Sequence, residues 1–369
     1  MSYLAPLNGT ATVGTEFNIS SSITSLEVNG AAIDLNNKAH VTYRKFTVPL
    51  QGGFDGDNPA RIFALGNDIT NTNTQGFNLS TASTSGSAAY ARALTALSNP
   101  DNVDLNLLIL PGVIYSQHSY VAQSAINLCE QRGDCFYIID LDTLGASISS
   151  VTQQASTLDT NYAAAYYPWV KVVDTNTNKI IWAPPSVVLP EVYAYSDKVG
   201  AEWFAPAGLN RGGVPGAVGV KTRLNQANRD SLYEGKVNPI AQFPQQGISV
   251  WGQKTLQTRS SALDRVNVRR MLITVKKYIA SSSRYLVFEQ NVDSTRNAFL
   301  NLVNPYLAGI QQRSGLTAFR VIMDETNNTP DIIDRNILVG SIYLQPTRTA
   351  EFIKLDFNIL PTGATFPTI

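Results

Sequence analysis

Charge is scarce in this chain: only 15% of its 369 residues are Asp, Glu, Lys or Arg, against the usual quarter. The 28 basic and 28 acidic residues cancel. A nucleic-acid binder normally carries a basic excess, so DNA or RNA as the main partner is excluded as an expectation. Net neutrality also removes a repulsive barrier to self-association. There are two cysteines, Cys129 and Cys135. Their spacing fits neither a zinc ribbon nor a redox pair, so they read as reduced thiols in or beside a core. No apolar run approaches the ~20 residues of a membrane span. The opening MSYLAPLNGT has no basic n-region and no apolar h-region. The expectation is a soluble protein made in a cytoplasm, with no membrane insertion.

Chemistry is sparse too. The two histidines are His40 and His118. A nucleophilic triad needs a histidine held by an acid and facing a serine. His118 with Asp140 or Asp142 is the pairing available, and no GxSxG elbow accompanies it. No HExxH and no EF-hand spacing occurs. The densest acidic group is Asp324-Glu325 with Asp331 and Asp334, which reads as a solvated loop. Gly212-Gly-Val-Pro-Gly-Ala-Val-Gly219 lacks the Gly-Lys-Ser/Thr of a phosphate loop, since Pro215 interrupts and Lys221 follows a valine. It reads as a structural loop. No catalytic residue, cofactor or metal is expected.

What is present is patterning. Hydrophobic residues make up 44%, enough for real cores. Phe17–Val28 and Ala39–Leu50 read as strands, with the loop Gln51–Pro59 and the polar stretch Thr70–Ser87 after them. From Ala88 the character changes. Helices are expected at Ala88–Leu97, Ser119–Arg132 (stopped by Gly133) and Ser147–Leu158. Buried strands are expected at Leu105–Leu110, Cys135–Asp140, Trp169–Val173 and Ile180–Trp182. That alternation predicts a parallel, doubly wound α/β sheet. A helix to about Lys198, another over Leu224–Glu234, and a strand pair or bend at Gly247–Leu256 follow.

The last third is mixed. Val266–Ser281 reads as a helix with Val268, Leu272, Val275 and Ile279 on one face. Ser294–Gln312 reads as a second helix. Phe319–Met323, Leu338–Gln345 and Glu351–Ile359 read as strands. In the last, Ile353, Leu355, Phe357 and Ile359 point one way and Lys354, Asp356 and Asn358 the other, so one face is buried. Between Arg259 and Arg284 stand seven basic residues and one acid, Asp264. Arg265, Arg269, Arg270, Lys276 and Lys277 are candidates for one basic face that orients a partner; the plain alternative is a solvated face.

Several short runs carry a resemblance. Leu107-Leu-Ile-Leu-Pro-Gly112, Gln131-Arg-Gly-Asp-Cys-Phe136, Tyr167-Pro-Trp-Val170, Ala183-Pro-Pro-Ser186 and Ala205-Pro-Ala-Gly-Leu-Asn-Arg-Gly212 resemble the subtilisin-like domain of contractile phage tail sheath proteins. Val266-Asn-Val-Arg-Arg270, Tyr285-Leu-Val-Phe-Glu289, Asn304-Pro-Tyr-Leu307 and Pro361-Thr-Gly363 resemble that family's C-terminal domain. Each motif is modest; their order and spacing make the likeness specific over the last three quarters of the chain. The resemblance implies three parts: a β-rich N-terminal segment at 1–87, read as an outward insertion, a subtilisin-like α/β domain at 88–258 and a mixed α+β domain at 259–369. It implies a structural polymer subunit, not an enzyme. Its partners would be further copies of itself in stacked six-fold rings, a tail tube protein, and baseplate and terminator proteins. Its place would be the virion tail, assembled in the host cytoplasm. The family laces its lattice with terminal strands, for which Glu351–Ile359 is the candidate. The family's usual Ser-Pro-Gly-Val-Tyr-like opening is missing before Phe17. A serine hydrolase, an adhesin-like module, and a tailocin or secretion-type sheath are the alternatives.

Overall fold

The computed structural model describes residues 79, 81–174 and 178–351, with the backbone of two short strands nearer the N-terminus. The chain divides into two compact units, Met1–Ala64 and Leu65–Ile369. In the first, β1 (Glu27–Val28) pairs antiparallel with β2 (Ala31–Ala32). The other strands expected before residue 51 lie outside the described residues. Everything below concerns the second unit.

Its centre is a five-stranded sheet in the order β10 (Gly247–Val250), β9 (Val237–Phe243), β5 (Ala163–Tyr167), β4 (Phe136–Asp140), β3 (Leu107–Ile114). The pairs β3–β4, β4–β5 and β5–β9 are parallel; β10 closes the edge antiparallel. The helices α2 (Ser119–Arg132), α3 (Ile148–Ser156) and α5 (Gln226–Glu234) lie on one face. There Val121, Val151 and Leu232 pack with Tyr137, Ile139 and Ala165. The helix α4 (Pro185–Val199) lies on the other, with Leu189 and Val192 against Phe136 and Ile138. With both faces covered, every residue of β4 is buried, as its unbroken apolar run requires. The short helix α1 (Ser85–Ala96) precedes the sheet. α2 ends where Gly133 adopts φ +69°, a left-handed stop that glycine takes without a Cβ penalty.

Three expectations need correction. The parallel strands advance in one direction, β3 to β4 to β5 to β9, so the hydrogen-bonded order does not reverse as a doubly wound sheet's does. β3 runs through Pro111-Gly112 to Ile114 instead of stopping, and the register shifts there to absorb the proline. β6 (Val170–Asp174) and β7 (Lys179–Ala183) do not join the main sheet. They form a separate antiparallel sheet with β8 (Ala217–Val220). Only four residues separate β6 from β7, too few for the crossover that a parallel pair needs. The third and fourth parallel positions fall to β5 and β9 instead.

The C-terminal third packs onto this sheet. α6 (Val266–Ser283) and α7 (Asp293–Gln312) carry a second core, with Met271, Val275, Val303 and Leu307 buried together. α6 also reaches back: Val266 and Ile273 belong to the sheet-side core. The antiparallel pair β11 (Leu316–Ile322) and β12 (Ser341–Pro346) lies against α7, with the short α8 (Pro330–Asp334) between them. The glycine-rich stretch read as a loop over Gly212–Gly219 is a loop only in its first part, since residues 217–219 belong to β8. Gly212 accepts from Val250 N–H at 2.8 Å, and a Cβ there would stand 2.7 Å from the Ala207 backbone.

Candidate assembly surface

The β11–β12 sheet has only two strands, and among the described residues neither outer edge is paired. Phe319 faces Leu344 and Val321 faces Ile342 across the ladder. All four point toward the α7 core, yet each is only half-buried. A lone two-stranded ribbon is marginal in water, and an open edge is a template for another strand.

Downstream of β12 the chain is held by Thr347, by Thr349 and most fully by Glu351. Its carboxylate accepts from Arg265 Nε at 2.7 Å, Tyr233 Oη at 2.7 Å and Gln253 Nε2 at 3.2 Å. Burial pushes this carboxyl upward, but the bonds from Arg265 and Tyr233 outweigh it and hold it below the usual glutamate range. The partner phenol is pushed well up, by burial first and then by the adjacent carboxylate. Three elements thus converge on the last described residue. The predicted arm residues Ile353, Leu355, Phe357 and Ile359 follow it and lie outside the described residues.

The five predicted cations do not share one free face. Arg269 is 2% exposed and stacks on the Tyr162 ring, 3.4 Å from its centroid. Desolvation brings its pKa down to about 10. Arg270 is 6% exposed, lies over Tyr193, and grips Asp197 with two hydrogen bonds, one at 2.9 Å. Arg265 pairs with Asp264 and Glu351. Lys277 bonds Asp104, the Leu105 carbonyl and Asn106. Only Lys276 is exposed. The reason is helical geometry: α6 is covered on several sides, so successive cations meet different neighbours. Three of the five, Arg269, Arg270 and Lys277, rivet α6 to the α/β sheet's helices and loops, while Arg265 holds the start of α6 to Asp264 and Glu351.

Of the residues weighed for catalysis, His118 follows β3 and Asp140 ends β4, but their hydrogen bonds go to other groups, and Asp142 accepts from Ser116 and Ser150. Ser186 Oγ donates directly to Asp140 Oδ2, and its backbone N–H to Oδ1 at 3.1 Å. His118 Nδ1 accepts from the Ile114 N–H at 3.1 Å. Burial lowers the pKa of His118 and raises that of Asp140 to about 7. All three side chains are buried. Ser186 opens α4, so the carboxyl joins a strand end to a helix start. Cys129 and Cys135 are buried free thiols, as expected, 3.3 Å apart. Among the described residues no His, Cys, Asp and Glu cluster could hold a metal. The acidic group Asp324, Glu325, Asp331 and Asp334 is exposed.

Comparison with known proteins decides the family. The phage tail sheath protein central domain matches residues 84–256, and the phage tail sheath C-terminal domain matches 258–359. The chain belongs to the phage tail sheath protein family. The tail sheath protein of Vibrio phage KVP40 is 38% identical over 60% of this chain and 32% of its own length. That of Enterobacteria phage T4 is 31% identical over 72% of this chain and 43% of its own. The chain therefore spans less than half the length of these curated relatives. Among solved structures, the sheath complex of the PVC extracellular contractile injection system, in its contracted state, aligns at TM-score 0.62. It is 28% identical and covers 72% of this chain and 74% of the other. The six-fold symmetrised baseplate of the anti-feeding prophage gives TM-score 0.62 at 25% identity, covering 73% and 72%.

In this sheath-family chain the two matched regions meet at residues 256–258, but their cores do not separate there. Asn267 Nδ2 donates to the Trp203 carbonyl at 3.1 Å, and α6 contributes to both cores. The Glu351 anchor was missed by sequence reasoning. Nothing in the local pattern shows that Arg265, Tyr233 and Gln253 converge on a residue about a hundred positions away.

Proposed function

We propose that this chain is a structural subunit of a contractile tail sheath. Its copies stack as six-fold rings, polymerise helically around a tail tube, and change their packing to drive the tube through a bacterial envelope for genome ejection. The tube, baseplate and terminator proteins are its partners, and its place is the virion tail, after assembly in the host cytoplasm. The role is mechanical and not enzymatic. The direct Ser186–Asp140 bond supports this, because it occupies the serine with the acid where a hydrolase needs the histidine. We read the central α/β unit, at 88–258, as the family's subtilisin-like domain, 259–369 as its C-terminal domain and 1–87 as an outward insertion. Phage tails are favoured over injection systems by the higher sequence identity to phage sheath proteins.

One observation carries the mechanism: an open-edged two-stranded sheet is followed, after the Glu351 anchor, by a segment alternating apolar and polar. Ile353, Leu355, Phe357 and Ile359 would complete the half-buried layer of Phe319, Val321, Ile342 and Leu344 in a neighbouring copy. Backbone pairing holds while side-chain contacts elsewhere re-pack. The test removes residues 352–369 and keeps Glu351. Tubular polymers seen by negative stain should disappear, while far-UV circular dichroism and the unfolding midpoint stay unchanged. Normal tubes from the shortened chain would refute the strand exchange.

A further inference from the structure

The largest exposed apolar side chains are not scattered evenly. One group caps the turn between α6 and α7, where Tyr285 is 85% exposed and Phe288 103%. Phe288 holds φ +72°, a left-handed conformation costly for a bulky residue and retained where the surroundings impose it. Asn291 Nδ2 donates to the Ile337 carbonyl at 3.0 Å, which ties this turn to the end of α8. The rim of this knob is acidic. Glu289, Asp331 and Asp334 are exposed and form no ion pair among the described residues, against two exposed cations at the knob, Arg335 and Arg284, of which Arg284 is already paired with Asp101.

The second group is the outer face of the β6–β7–β8 sheet. Its inner face is core, with Val170, Val172 and Val220. An antiparallel sheet of this kind normally presents polar residues outward. Here Val173 and Ile180 face each other across the ladder, 42% and 58% exposed. Beside them Trp182 is bracketed by two ammonium groups, Lys171 at 4.9 Å and Lys221 at 5.1 Å from the ring centroid. Neither lysine has a carboxylate partner among the described residues. This face is apolar with a basic rim, the chemical complement of the knob.

We propose that the Tyr285–Phe288 knob of one copy docks on the β6–β7–β8 face of the next. The occupant is a second copy of this chain, chosen by charge: Glu289, Asp331 and Asp334 meet Lys171 and Lys221 around an apolar centre. The two patches are different surfaces of one molecule, so the contact is heterologous and propagates instead of closing on itself. It deepens the sheath reading, on which it rests, and is independent of the C-terminal arm.

Charge reversal tests it. A chain carrying Lys171→Glu and Lys221→Glu, and one carrying Glu289→Lys and Asp331→Lys, should each lose polymer by at least about tenfold in sedimentation, because like charges then oppose. A chain with all four changes should polymerise again. Reversed chains that assemble like the unmodified protein, or a fourfold variant that does not recover, overturn the contact while leaving the sheath reading intact. A second arm needs no tubes. Copies with Lys171→Cys are mixed with copies with Glu289→Cys and treated with a short bis-maleimide; native Cys129 and Cys135 are fully buried. Cross-linked pairs should form, and should be absent when Arg92→Cys replaces Lys171→Cys. No cross-link, or equal cross-linking from Arg92→Cys, overturns the proposal.

Discussion

Asp140 shows how a single residue is set by its surroundings. Burial raises its pKa from the ordinary 3.8 to about 7, although both bonds from Ser186 favour the charged form. Between these values the unfolded chain has released a proton that the folded chain retains. The unfolded state then binds fewer protons, so stability falls as pH rises through this window. Asp140→Asn keeps an acceptor for the Ser186 N–H and a donor for its hydroxyl. Denaturant titrations from pH 4 to 7 should show a slope of stability against pH that is more negative in the native protein than in the variant, in which the opposite contribution of His118 remains. An unchanged slope would mean that Asp140 is not the titrating group. No local pattern in Phe136–Asp140 announces this, because the pKa depends on α4 arriving across the strand end.

The helix α6 carries the clearest lesson at the scale of elements. Its length and apolar periodicity were legible in sequence, since Val268 and Val275 do enter the core. The fate of its cations was not. A run of arginines and lysines on a helix reads the same whether it faces water, a partner or the rest of its own chain. Here Arg270 bridges to Asp197 on α4, and Lys277 to the loop before β3. Removing one partner of a mostly buried pair costs about 3–5 kcal/mol, and Asp197's partial exposure places Arg270→Ala toward the low end. Lys276→Ala should stay within about 0.5 kcal/mol. Chemical denaturation compares the two; equal small effects would show that α6 is not riveted through Arg270. β5 and β9 were illegible for another reason. Ala163-Ala-Ala-Tyr-Tyr167 lacks β-branched residues, and Pro239 argues against an inner strand, yet both pair because helices cover the sheet on each side. β6 and β7 show the reverse: their apolar runs were legible, but their partners were decided by a short connection.

At the scale of the whole molecule, composition and motif order carried more than local propensity. Low charge, zero net charge and the ordered sheath-like motifs pointed to self-assembly before any coordinate. The fold adds surfaces suited to it: an open-edged ribbon followed in sequence by the Glu351 anchor, and two oppositely rimmed apolar patches. A lattice built from propagating contacts can store energy in one packing and release it in another, provided some joint survives the change. In this account the surviving joint is backbone pairing on β11–β12, and the side-chain contacts are the part that re-packs. Helical reconstruction of the assembled protein by cryo-electron microscopy tests this most directly. The account predicts that the β11–β12 sheet gains at least one strand, traced to residues 352–359 of a different copy. A polymer in which that sheet stays two-stranded, or in which the added strand comes from the same copy, would contradict it.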